Sequence, residues 1–216
     1  MKRLLITLSS VLMLGGAARA DLIISGVVDG TNTSGTPKGI ELYALANIPD
    51  LSVYSIIRDT NGVGPFDTSA ALPVVALNAG DFYYVAGNTA SQTQLIGLGF
   101  AVGLVSSIAN INGDDILGTS LTSDPLNSSN FIDSFGLEGQ GDTNFYADSF
   151  AVRLNTSVGG QVPGLLDAGN FTITSYSDAG LMGAGGFGTY SPIPEPVTFA
   201  LLGLGALLLH RLRRRP

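Results

Sequence analysis

The sequence predicts an all-β protein built as an antiparallel sandwich or barrel. Two observations support this prediction: short apolar runs recur along residues 21–176, and Gly, Asn, Asp, Ser and Pro separate them. The clearest runs are rich in β-branched and aromatic residues; they are LIISGVV (22–28), GIELYAL (39–45), VYSIIRD (53–59), PVVAL (73–77), DFYYVAG (81–87), FIDSFGL (131–137) and SFAVRL (149–154). Many short strands divided by frequent turns are typical of sandwiches and barrels.

One of these runs has the periodicity of a strand with one buried face. In GIELYAL, Ile40, Leu42 and Ala44 occupy alternate positions. Successive side chains of a strand point to opposite faces of its sheet, so these three residues are predicted to face a core. Farther along, Asn112 and Gly113 form the dipeptide that favours a tight hairpin turn.

The strongest helix candidate between the two ends of the chain is residues 91–109, SQTQLIGLGFAVGLVSSIA. Gly97, Gly99 and Gly103 fall within it. Each glycine costs a helix about 1 kcal/mol relative to alanine. We therefore predict strand or loop for this segment.

A glycine-rich stretch, GLMGAGGFGTYSP, occupies residues 180–192. Glycine has no side chain to pack and loses much backbone entropy when it becomes ordered. The sequence therefore predicts a flexible linker over 180–192 and a folded domain over 21–179.

The first 20 residues have the pattern of a secretory signal peptide. Lys2 and Arg3 make the start basic, an apolar stretch follows, and Ala18 and Ala20 supply the small residues of an A-x-A cleavage site. We expect residues 1–20 to direct the chain to the Sec export machinery and then to be removed. An uncleaved membrane anchor is the alternative.

Charge is divided unevenly along the chain. All 17 acidic residues lie within 21–195, and Lys38, Arg58 and Arg153 are the only basic residues there. Positive flanks stay on the cytoplasmic side of a membrane, so both ends are expected inside and the acidic body outside. Such a body would repel phosphate groups, and nucleic acid is therefore not expected as a partner.

A short apolar run lies close to the end of the sequence. Residues 197–209 carry no charge and would form a helix of about 20 Å, against a hydrocarbon core of about 30 Å. The side chains of Arg211, Arg213, Arg214 and Arg215 can reach towards the bilayer surface and extend such a helix. The sequence predicts a short transmembrane helix that holds the chain transiently in the inner membrane, with the arginines as a stop-transfer cluster.

Pro194, Glu195 and Pro196 are followed by the apolar run and the arginine-rich end, within residues 193–216. In this arrangement the tail resembles the PEP-CTERM sorting signal of Gram-negative bacteria. The resemblance implies processing by a membrane protease of the exosortase type and delivery to the cell surface or the extracellular matrix. The prolines favour extended backbone at Glu195, which a protease cleft requires. A GPI-anchor signal is the alternative, although a basic cluster does not normally follow one.

Seven segments of the body occur in the order found in a known family; they are Ile24 with Ser25, Lys38 with residues 40–43, residues 50–56, GDFYYVAGN (80–88), INGDDILG (111–118), IDSFG (132–136) and FAVRL (150–154). Through these segments the body resembles a lamin-tail domain, an immunoglobulin-like β-sandwich found in lamins and in many secreted bacterial proteins. The resemblance implies an immunoglobulin-like fold without catalytic activity of its own. The sequence departs from the family at Gly26 and Ala44, where glutamate and asparagine are usual, and no tryptophan closes the domain.

Residue types exclude several catalytic sites. The chain has no cysteine, and its one histidine, His210, lies in the tail. A Ser-His-Asp or Cys-His nucleophile and a zinc site of His and Cys are therefore excluded from the body. A pair of carboxylates could still hydrolyse a glycosidic bond, so a secreted hydrolase that uses aspartates stays an alternative.

The best candidate for an ion site is the turn that contains Asn112, Asp114 and Asp115. Carboxylate and amide oxygens suit Ca²⁺, although the spacing differs from that of a D-x-D-x-D-G loop. Calcium is the one cofactor that the sequence suggests, and a calcium-stabilised adhesive module is a further alternative. The main prediction is a non-catalytic exported protein that binds exopolysaccharide or another surface protein.

Overall fold

The computed structural model describes residues 21–136, 144–156 and 170–193. Within these ranges the chain is mostly β-sheet. The strands are β1 (Leu22–Asn32), β2 (Thr36–Ala44), β3 (Tyr54–Asp59), β4 (Thr68–Ala71), β5 (Phe82–Ala86), β6 (Val102–Val105), β7 (Ile116–Leu121), β8 (Phe131–Phe135), β9 (Ser149–Arg153) and β10 (Phe171–Ser175), and the α-helices are α1 (Thr89–Gly97) and α2 (Asp178–Met182). No helix in the described ranges has the length and apolar character needed to span a membrane.

The strands form two sheets. One has six strands in the order β10-β9-β1-β2-β5-β6, and the other has four in the order β4-β3-β7-β8. Among the described strand pairs, β5 and β6 alone run parallel, and α1 connects them. A parallel pair needs such a crossover connection. The all-β prediction is confirmed in this coarse form, as two mostly antiparallel sheets that pack together.

Apolar side chains from both sheets meet in one core between them. Ile40, Leu42 and Ala44 of β2 face this core, as their alternation predicts, and Ile56 and Leu117 face it from the four-stranded sheet. All five are fully buried. Burial of this apolar surface is the main force that holds the two sheets together.

A buried ion pair also joins the sheets. Arg153 Nη2 on β9 lies 2.5 Å from Asp133 Oδ2 on β8, and neither side chain is exposed. The same carboxylate oxygen accepts a hydrogen bond from Ile24 N (2.8 Å), and Arg153 Nε donates to Ile24 O (2.7 Å). The pairing of β1 with β2 shifts register just after Ile24. The ion pair thus binds backbone groups at an irregular point of the central strand.

The segment for which we predict strand or loop, residues 91–109, is helical in its first part. Helix α1 ends at Gly97, whereas Gly99 lies beyond it with φ of +96° and Gly103 lies in β6. The Asn88 side chain caps the helix by accepting a hydrogen bond from Ser91 N (2.9 Å). The prediction is wrong for this part because the glycines fall at the end of the helix and after it.

The run PVVAL (73–77), predicted as a strand, does not form one. Its backbone bonds go to the loop before β3: Leu77 forms an isolated bridge with Ile48, and Val75 O accepts a hydrogen bond from Leu51 N (2.8 Å). Val74 is 81 % exposed, and Leu77 is the residue of this run that joins the core. Pro73 has no N–H to donate to a ladder, and a single core contact does not hold a pleated strand in place.

Residues 180–193 lie against the outer face of the six-stranded sheet instead of forming a free linker. Leu181, Phe187 and Tyr190 are buried, and each belongs to an apolar cluster on that face. The three large side chains, spaced among the glycines, supply the contacts that the glycines lack. The folded domain therefore continues beyond residue 179.

Candidate functional site

A polar cleft opens where the loop of residues 110–115 meets β2 and β3. Its volume is about 290 Å³. The residues that line it are mostly polar: Lys38, Arg58, Thr60, Asn61, Asn110, Ile111, Asn112 and Asp115. The loop leads from the short 3-10 turn Ser107–Ala109 into β7, so both of its ends are held by regular structure.

The buried Asp115 carboxylate holds this loop in place through hydrogen bonds. The residue is only 3 % exposed, and its Oδ2 accepts a hydrogen bond from Asn112 N (3.1 Å) while Oδ1 accepts one from Asn61 N (3.3 Å). Arg58 Nε lies 4.0 Å from Oδ1. Burial raises the pKa of Asp115, although the two backbone donors and Arg58 act to lower it. Asp115 therefore ties together two loops that are distant in sequence.

The three predicted calcium ligands lie close together, but their oxygens face protein donors. The Asn112 amide is oriented so that both its oxygen and its nitrogen have hydrogen-bond partners. In this orientation the nitrogen donates to Asp114 Oδ1 (2.5 Å) and to Asp115 Oδ2 (2.8 Å). Among residues 21–136, 144–156 and 170–193, no group of three or more His, Cys, Asp or Glu side chains is placed to hold a metal ion. The contacts favour a turn stabilised by its own hydrogen bonds, and calcium binding stays a prediction.

The two cations that line the polar cleft, Lys38 and Arg58, form their hydrogen bonds with other groups of the protein. Lys38 Nζ lies 2.5 Å from Asp29 Oδ1 and also donates to the Ile111 carbonyl. Arg58 Nη1 donates to three carbonyls of residues 107–110, at 3.2, 3.4 and 3.3 Å. Burial raises the pKa of Asp29, and the hydrogen bond and charge of Lys38 oppose that rise. These two cations therefore stabilise the walls of the cleft.

The groups at the rim of the polar cleft are neutral. Asn61, Asn110 and Asn112 are exposed, and Thr60 is half-buried. Each asparagine amide can both donate and accept hydrogen bonds, and the threonine hydroxyl can do the same. Within the protein, Asn112 and Thr60 already donate hydrogen bonds and Asn110 accepts one. The remaining donors and acceptors of the rim can bond to a polar ligand.

A buried carboxylate, Glu41, lies on the outer face of the six-stranded sheet. Its Oε1 accepts a hydrogen bond from Ser25 Oγ (2.7 Å), and its Oε2 accepts one from Gly188 N. The Tyr84 hydroxyl is a further hydrogen-bond partner. Burial raises the pKa of Glu41 to about 7, although all three hydrogen bonds act to lower it. Glu41 thus changes its charge near neutral pH while it is covered by protein.

The buried carboxylates each have their own structural donors. Asp29 pairs with Lys38, Asp133 pairs with Arg153, and Glu41 bonds as described above. A glycosidase needs two carboxyl groups, about 5–10 Å apart, that face one substrate. The hydrogen bonds seen here give the hydrolase alternative no support.

The residues predicted for cleavage and sorting lie outside the described residues; they are Ala18, Ala20, Pro194, Glu195, Pro196, Arg211, Arg213, Arg214 and Arg215. Sequence reasoning singled out the 112–115 turn, but it gave Arg58 and Asn61 no part in a site and did not predict that Glu41 is buried. The scarcity of cations in the body was a usable signal, because a rare cation in an acidic chain is readily recruited by a carboxylate.

No protein-family model matches the chain, and no curated protein matches it. Function is therefore inferred from the residues and their geometry.

Proposed function

We propose that this chain is a non-catalytic exported protein of the cell surface or extracellular matrix, which binds a polysaccharide or a protein through the polar cleft. The chemistry of the cleft carries the proposal. Its charged groups bond to the protein, and the groups that face a ligand are the neutral amides and the hydroxyl of its rim. Three of these four groups use part of their hydrogen-bonding capacity within the protein, and the rest is left for a ligand. Sugar hydroxyls and peptide groups are the partners that such donors and acceptors bind best, and a neutral exopolysaccharide is the ligand we favour.

The proposal includes an immunoglobulin-like fold of the lamin-tail kind. Two mostly antiparallel sheets around a shared core support it, as do the matching segments of β1, β2, β8 and β9. The parallel pairing of β5 with β6 is a departure, since immunoglobulin-like sandwiches are built from antiparallel strands.

The proposal also includes export through the Sec machinery, a transient stay in the inner membrane and cleavage by an exosortase-type enzyme. The signal-peptide pattern, the acidic body and the Pro194, Glu195, Pro196 tail support this route. The Glu195→Ala variant, or deletion of residues 211–215, should leave an uncut form in the membrane. The intact mass of the secreted wild-type protein checks the route, and a secreted form that still carries residues 197–216 would contradict it.

Ligand binding is tested with the purified full chain on an array of neutral and acidic bacterial polysaccharides. The Asn110→Ala variant should weaken binding about tenfold, since a lost hydrogen bond is worth about 1 kcal/mol or slightly more. Thr93→Ala, at an exposed position of α1 outside the cleft, is the matched control. Equal binding by all three proteins would remove the polar cleft from the proposal.

A further inference from the structure

The chain remains bonded to the folded domain up to the residue before the sorting motif. Ile193 N donates a hydrogen bond to Asn155 O (2.9 Å), and Ser191 N donates to Asn155 Oδ1 (2.9 Å). The next residue along the chain is Pro194. No spacer therefore separates the docked segment from the predicted cleavage motif.

Residues 187–193, which we call the strap, are held on the six-stranded sheet by side-chain contacts. The Phe187 ring stacks near Tyr84, with 6.2 Å between ring centroids, and the Tyr190 ring meets Tyr43 edge to face at 4.9 Å. The strap also donates from Gly188 N to the buried Glu41 carboxylate. Phe187 and Tyr190 are 4 % and 3 % exposed, so the docked strap is largely sealed against solvent.

A protease binds its substrate as an extended segment with residues on both sides of the cut. The four Cα–Cα steps from Ile193 to Val197 can span at most about 14 Å. The chain length therefore allows no more than this distance between the docked Ile193 and the start of the apolar run. An enzyme at the membrane surface would thus find the residues on the amino-terminal side of the motif still held by the folded domain.

We infer that residues 187–193 must leave the sheet before the chain is cut, because the docked strap holds the residues that directly precede the sorting motif. The inference rests on the proposed function, because it concerns the same cleavage event. The strap follows the last described strand and can open without breaking the core between the two sheets. The folded body thus sets the rate at which its own tail is processed.

The glycine at position 26 offers a way to loosen the strap without changing it. A Cβ atom added at Gly26 would lie 2.7 Å from Phe187 Cε1, so Gly26→Ala should displace that ring. The matched control is Gly64→Ala, because a Cβ there would meet nothing within 4 Å. In cells that process the wild-type full chain, Gly26→Ala should be cut severalfold faster, and Gly64→Ala should be cut at the wild-type rate.

The opposite variant holds the strap in place. The chain has no cysteine, so Asn155→Cys with Ile193→Cys can form only one intramolecular disulfide, whose formation is read from the intact mass. The oxidised variant should resist cleavage, and reduction should restore it. Amide hydrogen exchange at Gly188 reports strap opening independently of cleavage, and it should be faster in Gly26→Ala.

The outcomes separate the inference from the proposed function. If wild type, Gly26→Ala and the oxidised cysteine variant are all cut at the same rate, docking of the strap does not limit cleavage and the inference is wrong. If wild type is never cut, the proposed processing is wrong and the inference fails with it. Should Gly26→Ala fail to fold, the oxidised and reduced forms of the cysteine variant still decide the question.

Discussion

The two faces of the six-stranded sheet are covered in different ways. The inner face carries aliphatic side chains such as Leu42 and packs against a second sheet. The outer face carries aromatic side chains such as Tyr84, together with the Glu41 carboxylate, and it is covered by α1 and by residues 180–193. The inner face is thus covered by a second sheet, whereas part of the outer face is covered by a segment near the end of the folded region.

This difference separates global stability from local opening. A change on the inner face should unfold the whole domain, since both sheets lose their shared core. A change under the strap should release a short segment first and leave the sheets intact. The variants below test this distinction, from the largest expected effect to the smallest.

The largest effect is expected at the ion pair that joins the sheets. Arg153→Met should lower the free energy of unfolding by about 3–5 kcal/mol, because it removes the charge that compensates the buried Asp133 carboxylate and the donor that bonds to Ile24 O. Urea denaturation followed by circular dichroism measures the loss. The double variant with Asp133→Leu should recover part of it, since no charge is then left buried. A loss below about 1 kcal/mol in the single variant would mean that the inner face does not depend on this pair.

Glu41 should make the outer face sensitive to pH. Its pKa is about 7 in the folded protein against an ordinary value of 4.5, so the folded state holds the proton more tightly. The corresponding stability is fully present below pH 4.5 and is lost as pH rises through 7. The difference in unfolding free energy between wild type and Glu41→Gln should therefore change by about 3 kcal/mol across this range.

The measurement for Glu41 is urea denaturation of both proteins at a series of pH values. The free energy of unfolding of the variant is subtracted from that of wild type at each pH. This removes the contributions of Asp29 and Asp115, whose pKa values are also raised and which both proteins share. Parallel pH profiles would show that Glu41 does not titrate in this range. In that case the strap would not be sensitive to neutral pH.

A smaller effect is expected at the cap of α1, which covers another part of the outer face. Asn88→Ala should lower the free energy of unfolding by about 1 kcal/mol, because Ser91 N loses its acceptor. Hydrogen exchange should rise in α1 while the inner strands stay protected. The exposed Thr89→Ala change serves as the control on the same helix turn. Equal protection in both variants would show that the cap does not matter.

The smallest effect is expected in the polar cleft. Asp114→Asn should change the melting temperature by about 1 °C or less, because Asp114 is half-buried and bonds within its own turn. Millimolar calcium should leave the melting curve of wild type unchanged. A calcium-dependent rise that Asp114→Asn abolishes would instead favour the calcium-stabilised adhesive module.

The sequence predicted the residues of the inner face of the six-stranded sheet far better than it predicted what covers the outer face. Alternation in GIELYAL identified the core side of β2 because both sheets bury large aliphatic side chains there. The short strands β4 and β10 escaped prediction, since most of their side chains are small or exposed and leave no apolar pattern. The strap escaped because its composition is dominated by glycine, although Phe187 and Tyr190 carry its contacts.

Part of the candidate site was also beyond the sequence. The proximity of Asn112, Asp114 and Asp115 follows from their adjacency. The inward direction of the Asp115 carboxylate does not follow from adjacency. Its partner Asn61 lies 54 residues away and meets Asp115 only after β3 and β7 pair. A buried hydrogen bond of that kind depends on strand register, which short-range patterns do not specify.

The three cations of the body have a consequence for its resistance to proteolysis. Lys38, Arg58 and Arg153 are the only basic residues between positions 21 and 193, and their side chains are 12 %, 16 % and 0 % exposed. Trypsin-like enzymes cut after lysine or arginine, and they must draw the surrounding backbone into an extended shape. Here each such bond lies at a strand whose basic side chain is held inward. The folded body should therefore resist enzymes of this class, a property that the proposed exported protein would need among secreted proteases.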